Sequence, residues 1–167
     1  MGQFSCFQIF FVALAFIAFN AHAARVYTGF VSYVTDGDTL WVQPDAGGPA
    51  RKLRIEGIDS PEICQLGGEA SREVLVQRAL NQHVVVTVKR NDVYGRGLAR
   101  IQLNGGDVGA MMVRSGQAWS YHWHRSLGLY AAEEADARQA RRGLFAAGLP
   151  MEPRVFRKRH GSCHVGY

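Results

Sequence analysis

Three carboxylates and two arginines stand out in this 167-residue chain because each sits in a short polar segment that interrupts an apolar, strand-like pattern. Asp38 lies in "DGDT", residues 36–39. Arg54, Asp59 and Glu62 lie in "RIEGIDSPE", residues 54–62, and Arg96 lies in "NDVYGRGLA", residues 91–99. Carboxylates gathered at one rim repel each other unless a cation neutralises them. An oxygen-only donor set of this kind suits Ca²⁺ or Mg²⁺ and not a soft metal. Arginine carries a planar fork that grips a phosphate with two bonds. One cation, two guanidiniums and a spare carboxylate are the parts needed to hydrolyse a phosphodiester. Cation and guanidiniums stabilise the charge on phosphorus, and the carboxylate activates or orients the water. The competing reading is three solvated loop carboxylates. Asp36 reads as a turn residue that supports Asp38.

These segments need elements to hold them. "VYTGFVSYV" (26–34) and "TLWVQ" (39–43) are rich in β-branched and aromatic residues and read as strands joined by the Asp-Gly turn. After the turn "PDAGGP", "ARKLRIEGI" (50–58) alternates as a third strand with Leu53 and Ile55 on one face. "GGEASREVLVQRALNQ" (67–82) is a helix with an apolar stripe of Ala70, Val74, Leu75 and Ala79. "HVVVTVKR" and "GLARIQL" return to strand. "VGAMMVRSG" and "YAAEEADARQARRG" are helices, each closed by glycine. Three strands, a helix, two strands and two helices predict an α+β fold: a five-stranded OB-type Greek-key β-barrel with three helices packed on it.

A fourth polar segment, "WSYHWHR" (119–125), gathers aromatics and histidines. Trp119 and Trp123 are candidates to stack on bases. Trp41, in mid-strand, is expected in the core. His122 and His124 have no third ligand in view, which favours half-exposed residues over a metal pair.

Together "DGDT", "RIEGIDSPE" and "DVYGRGLA" resemble the staphylococcal nuclease (thermonuclease) family in order and spacing, and "MMVRSGQAWSY" and "ARQARRGLF" resemble that family's later helices. The resemblance covers residues 26–147 and implies the same barrel with three helices. It implies a Ca²⁺ site made by the side chains of Asp38 and Asp59 with the backbone carbonyl of Ser60. Ser60 stands where the family usually has Thr, an exchange that a main-chain ligand tolerates. It implies Glu62 as general base or orienter of the water, Arg54 and Arg96 as phosphate-binding residues, and Tyr94 with Tyr121 at the nucleotide. Val93 departs from the family's Lys at that place. The activity implied is endonucleolytic hydrolysis of DNA and RNA that leaves 3′-phosphate ends. The alternative is a non-catalytic OB-fold module that only binds nucleic acid.

The first 23 residues differ from the rest. A mostly apolar run, Phe7 to Phe19, ends at Ala21-His22-Ala23, the pattern of a secretory signal with cleavage after Ala23. The run is short for a membrane span, which needs roughly 20 residues; the alternative is an uncleaved anchor. The expected organisation is therefore a signal peptide (1–23), a nuclease-like domain (24–150) and a basic tail (151–167). A secreted or periplasmic monomer with no stable membrane association after cleavage follows. The net charge of +5 falls outside the signal segment, which has no Lys, Arg, Asp or Glu, and it favours polyanionic partners. Cys64 and Cys163 would be an even pair in an oxidising compartment, either disulfide-linked or free. The tail cluster Arg154, Arg157, Lys158 and Arg159 either faces a nucleic-acid groove or is solvated.

Overall fold

The structure is a computed structural model, and it describes residues 24–148 and 150–163. The expected signal segment with Cys6, and the last four residues, lie outside the described residues. Among the described residues, no helix is long and apolar enough to cross a membrane.

The barrel forms from β1 (Arg25–Asp36), β2 (Thr39–Pro44), β3 (Arg51–Ile55), β5 (His83–Asn91) and β6 (Gly97–Leu103). Strand order β3-β2-β1-β5-β6 is closed by a parallel pairing of β3 with β6, so the sheet keeps no open edge there. The period-2 pattern of the sequence supplies the interior. Val31, Val34, Leu40, Val42, Leu53, Ile55, Val84, Val86, Ala99 and Ile101 are all buried. Two short strands, β4 (Ile58–Asp59) and β8 (Trp119–Ser120), pair beside one end of the barrel, while β7 (Gly106–Asp107) turns back and pairs antiparallel with the end of β6.

The three expected helices are present as α1 (Gly68–Ala79), α2 (Val108–Arg114) and α3 (Ala131–Gln139). The face of α1 differs from the sequence expectation: Gly68, Ser71, Leu75 and Ala79 are buried, Val74 packs at the margin of the core, and Ala70 is exposed. The cause is the β1–β2 turn. A Cβ on Gly37 would sit 2.0 Å from the Ser71 hydroxyl, so α1 approaches the turn at a point where only small residues fit. Ser71 is satisfied there because it donates to the Gln117 carbonyl at 2.6 Å.

Two further expectations are corrected. Trp41 is not core: its neighbours Leu40 and Val42 point inward, so Trp41 faces outward and Lys52 lies over its ring at 5.7 Å. The tail carries a fourth helix, α4 (Pro153–His160), started by Pro at its first position. It is fastened to residues 59–65. Cys163 is disulfide-bonded to Cys64, Gln65 donates to the Met151 carbonyl at 2.7 Å, and Arg157 reaches Asp59 and Glu62.

Candidate active site

The site lies at one end of the barrel, where the β1–β2 turn, the end of β3, the β5–β6 loop and the segment 57–62 meet around an open cleft of about 1120 Å³. Each segment is placed by backbone bonds. The Ile55 N–H donates to the Asp38 carbonyl at 2.8 Å, which fixes the turn against β3. The parallel register Arg54↔Leu98 sets the Arg96 loop beside Arg54. The β4–β8 pairing and a bond from the Tyr121 N–H to the Gly57 carbonyl (2.8 Å) bring Tyr121 to the same rim. In the β5–β6 loop, Asp92 accepts from the backbone N–H groups of Tyr94 and Arg96, both at 2.9 Å, and from Arg96 Nε at 2.7 Å. These bonds hold the Asp92 carboxyl below its ordinary pKa despite partial burial.

Asp38 is the most enclosed acid. Its side chain is 5% exposed; Oδ1 accepts from Arg54 Nη1 and the Thr39 hydroxyl, and Oδ2 accepts from the Ser60 N–H at 3.0 Å. Burial alone would raise its pKa. The Arg54 charge, the Ser60 N–H and the Thr39 hydroxyl outweigh burial and hold Asp38 ionised, below the ordinary carboxylate value. Arg54, 18% exposed, spans the site: Nη2 donates to Asp59 Oδ1 at 2.9 Å and to the Ile58 carbonyl at 3.2 Å. Its two acid partners raise its pKa against the effect of burial. Asp36 is different. Burial first, and then the Asp38 charge, push its pKa up to about 7. The Asp38 N–H donates to Asp36 Oδ1 at 3.0 Å, so Asp36 does support Asp38 as the sequence suggested.

Asp38, Arg54, Ser60, Glu62, Tyr94, Arg96 and Tyr121 all line the cleft, and Asp59 joins them through Arg54. Arg96 lies over the Tyr94 ring at 5.3 Å, and Tyr94 is 80% exposed, free to meet a base. His122, Trp123 and His124 are exposed in the loop beyond Tyr121, and Trp119 is buried against Phe145. Trp119 is therefore not available to stack on a base.

Sequence reasoning missed two residues of the site. Arg157 donates from Nη2 to Asp59 Oδ2 at 2.8 Å, and from Nη1 to Asp59 Oδ1 at 3.2 Å and Glu62 Oε1 at 2.9 Å. The pairing of Cys64 with Cys163 was the available signal, since Cys64 lies two residues after Glu62 and must draw the tail to it. Asp92 was also missed as the residue that shapes the arginine loop.

The acids present fit a hard divalent cation in kind: Asp38 and Asp59 are buried, oxygen-only donors beside an open cleft, and burial together with the Asp38 charge drives Asp36 toward protonation. Among the described residues, no three His, Cys, Asp or Glu side chains gather as a ready cage. The bonds give the reason: Arg54 bridges Asp38 to Asp59, and Arg157 bridges Asp59 to Glu62.

Comparison with known proteins places the chain among nucleases of one family. The family model described as "Staphylococcal nuclease homologue" matches residues 52–147, more than half of the chain. An uncharacterized endonuclease of Escherichia coli O157:H7 is 33% identical over 132 residues, covering 78% of this chain and 85% of that protein. The protein ParB of Escherichia coli is 34% identical over 161 residues, covering 87% and 88%. A micrococcal nuclease of Shigella flexneri is 33% identical over 144 residues, covering 79% and 81%. With the barrel and the placement of its polar residues, these matches show that the chain belongs to the staphylococcal nuclease family.

Proposed function

We propose that this chain is a Ca²⁺-dependent endonuclease that hydrolyses phosphodiester bonds of DNA and RNA and leaves 3′-phosphate and 5′-hydroxyl ends. The observation that carries the reading is the convergence of Asp38, Arg54, Asp59, Glu62 and Arg96 at one cleft from four separate segments of the chain. A module that only bound nucleic acid would have no use for the buried acids among those arginines. Asp38, Asp59 and the Ser60 carbonyl are the residues to hold the ion, which when bound supplies a Lewis acid to the phosphate oxygens. Arg54 and Arg96 bind the non-bridging oxygens and stabilise the charge that develops on them. Glu62 takes the proton of the attacking water. The water oxygen bonds to phosphorus and the bond from phosphorus to O5′ breaks; one of the two guanidiniums stabilises the leaving O5′, which takes its proton from solvent water. Tyr94 and Tyr121 flank the nucleotide. The guanidiniums address phosphates and the tyrosines address base faces, so cleavage favours frayed or single-stranded regions over particular sequences.

We further propose export, after cleavage of the 1–23 segment, to the periplasm or the exterior. The Cys64–Cys163 pairing supports it, because such bonds persist in oxidising compartments. An exported site is served by weak Ca²⁺ binding, on the order of 10⁻⁴–10⁻³ M. The test is digestion of single-stranded DNA and RNA by the purified chain with Ca²⁺ or with EGTA, with end-group analysis. Cleavage with Ca²⁺ and none in EGTA is expected. No cleavage in Ca²⁺ refutes the enzyme, and undiminished cleavage in EGTA refutes the metal.

A further inference from the structure

We infer that Arg157 is a tethered counter-cation that a divalent ion must displace from Asp59 and Glu62, so that the C-terminal helix sets the metal affinity of the site. This rests on the metal-dependent reading above.

The lone pairs make the case. A carboxylate offers about four acceptor positions. On Asp59, Oδ1 accepts from Arg54 and Arg157, and Oδ2 accepts from Arg157, so three positions are taken. On Asp38, Oδ1 accepts from Arg54 and Thr39, and Oδ2 accepts from Ser60. One position is left on each acid. Two of the three bonds on Asp59 come from Arg157, and the same guanidinium holds Glu62, the acid assigned to the water. Charge gives the same answer. Asp38, Asp59 and Glu62 face Arg54 and Arg157. Withdrawal of Arg157 removes a positive charge at hydrogen-bonding distance from the ion's ligands and frees two acceptor positions on Asp59.

Arg157 is the displaceable partner. Arg54 belongs to a barrel strand and also donates to the Ile58 carbonyl, and it is 18% exposed against 30% for Arg157. Arg157 sits on α4, beyond residue 147 where the family match ends. The disulfide to Cys64 confines the helix, which keeps the guanidinium at high local concentration beside the acids. The Cys163 N–H also points to Glu62 Oε2 at 3.4 Å. Reduction of the disulfide loosens this competitor without touching an acid.

The experiment is calorimetric titration of the purified, EDTA-stripped chain with CaCl₂ in the absence of nucleic acid, for wild type, Arg157→Gln, Cys163→Ala and the double variant. Circular dichroism checks the fold of each. Arg157→Gln is expected to lower the Ca²⁺ Kd about tenfold or more, since it removes a like charge at contact distance. Cys163→Ala is expected to move Kd the same way by a smaller factor, and to add nothing in the Arg157→Gln background. Folded Arg157→Gln with unchanged or weaker Ca²⁺ binding overturns the inference and leaves the metal-dependent nuclease standing. Equal effects of Cys163→Ala with and without Arg157 overturn the tether. Absence of Ca²⁺ binding in wild type and Arg157→Gln alike refutes the proposed metal itself, and the inference with it.

Discussion

Asp36 gives the most direct test of the site's electrostatics. Burial and the neighbouring Asp38 charge raise its pKa from 3.8 to about 7. An acid whose folded pKa lies above its unfolded one favours the fold while protonated. That advantage is complete below pH 3.8, falls as the pH rises, and is gone above about pH 7. At 1.36 kcal/mol per pH unit, the span from 3.8 to about 7 is worth about 4 kcal/mol. Asn reproduces the protonated acid. Its amide oxygen can still accept the Asp38 N–H, now bound at 3.0 Å, and its NH₂ can donate to Asp38. Asp36→Asn should therefore match wild type near pH 3.5, exceed it by about 2 kcal/mol at pH 5.5, and exceed it by up to about 4 kcal/mol above pH 7. Because Asp36 titrates together with Asp38, half of that final gain is the least expected. The assay is urea unfolding of both proteins in EDTA across pH 3.5–8.5. A stability difference that stays constant over this range refutes the assignment of buried, unpaid charge to Asp36, as does a variant less stable than wild type at pH 8.

Two further predictions follow from single contacts. Glu62→Gln keeps an oxygen for Arg157, so its urea midpoint should stay near that of wild type while nuclease turnover falls by at least ~10²; activity within threefold of wild type moves the base elsewhere. Gly37→Ala places a Cβ against the Ser71 hydroxyl at 2.0 Å and should cost about 1–3 kcal/mol on unfolding; a neutral result would mean that α1 does not press on the turn.

What the sequence made legible was local. The acids and arginines of the three motifs lie at strand ends, where period-2 patterning stops and Gly-containing turns begin, and the barrel then needs only its β1–β2 turn, β3–β6 closure and β4–β8 pairing to gather them. Trp41 was misplaced: its mid-strand position suggested the core, although alternation with the buried Leu40 and Val42 points it outward. The face of α1 was not legible. Ser71 replaces Ala70 on the buried stripe because of the close approach at Gly37, a tertiary constraint with no trace in helical periodicity. Arg157 was hidden for another reason. It sits among Arg154, Lys158 and Arg159, residues of the same charge on the same short helix, and only the direction of its side chain separates it from them.

The fold meets the surplus negative charge at this site in three ways that differ in permanence. Arg54 is built into the barrel. Its guanidinium joins Asp38, Asp59 and a backbone carbonyl, and truncating one member of such a buried pair commonly costs about 3–5 kcal/mol, so it stays. The second device is the proton on Asp36, whose pKa burial and the Asp38 charge raise to about 7. The third is Arg157, which arrives from outside the barrel on a helix fastened by one disulfide and a few polar bonds. Under the proposed metal-dependent reading, a divalent ion held by Asp38 and Asp59 would answer the same charge and compete with the two reversible devices. The acids can therefore be buried and oriented as ligands while the site stays neutralised enough to fold before any ion is present.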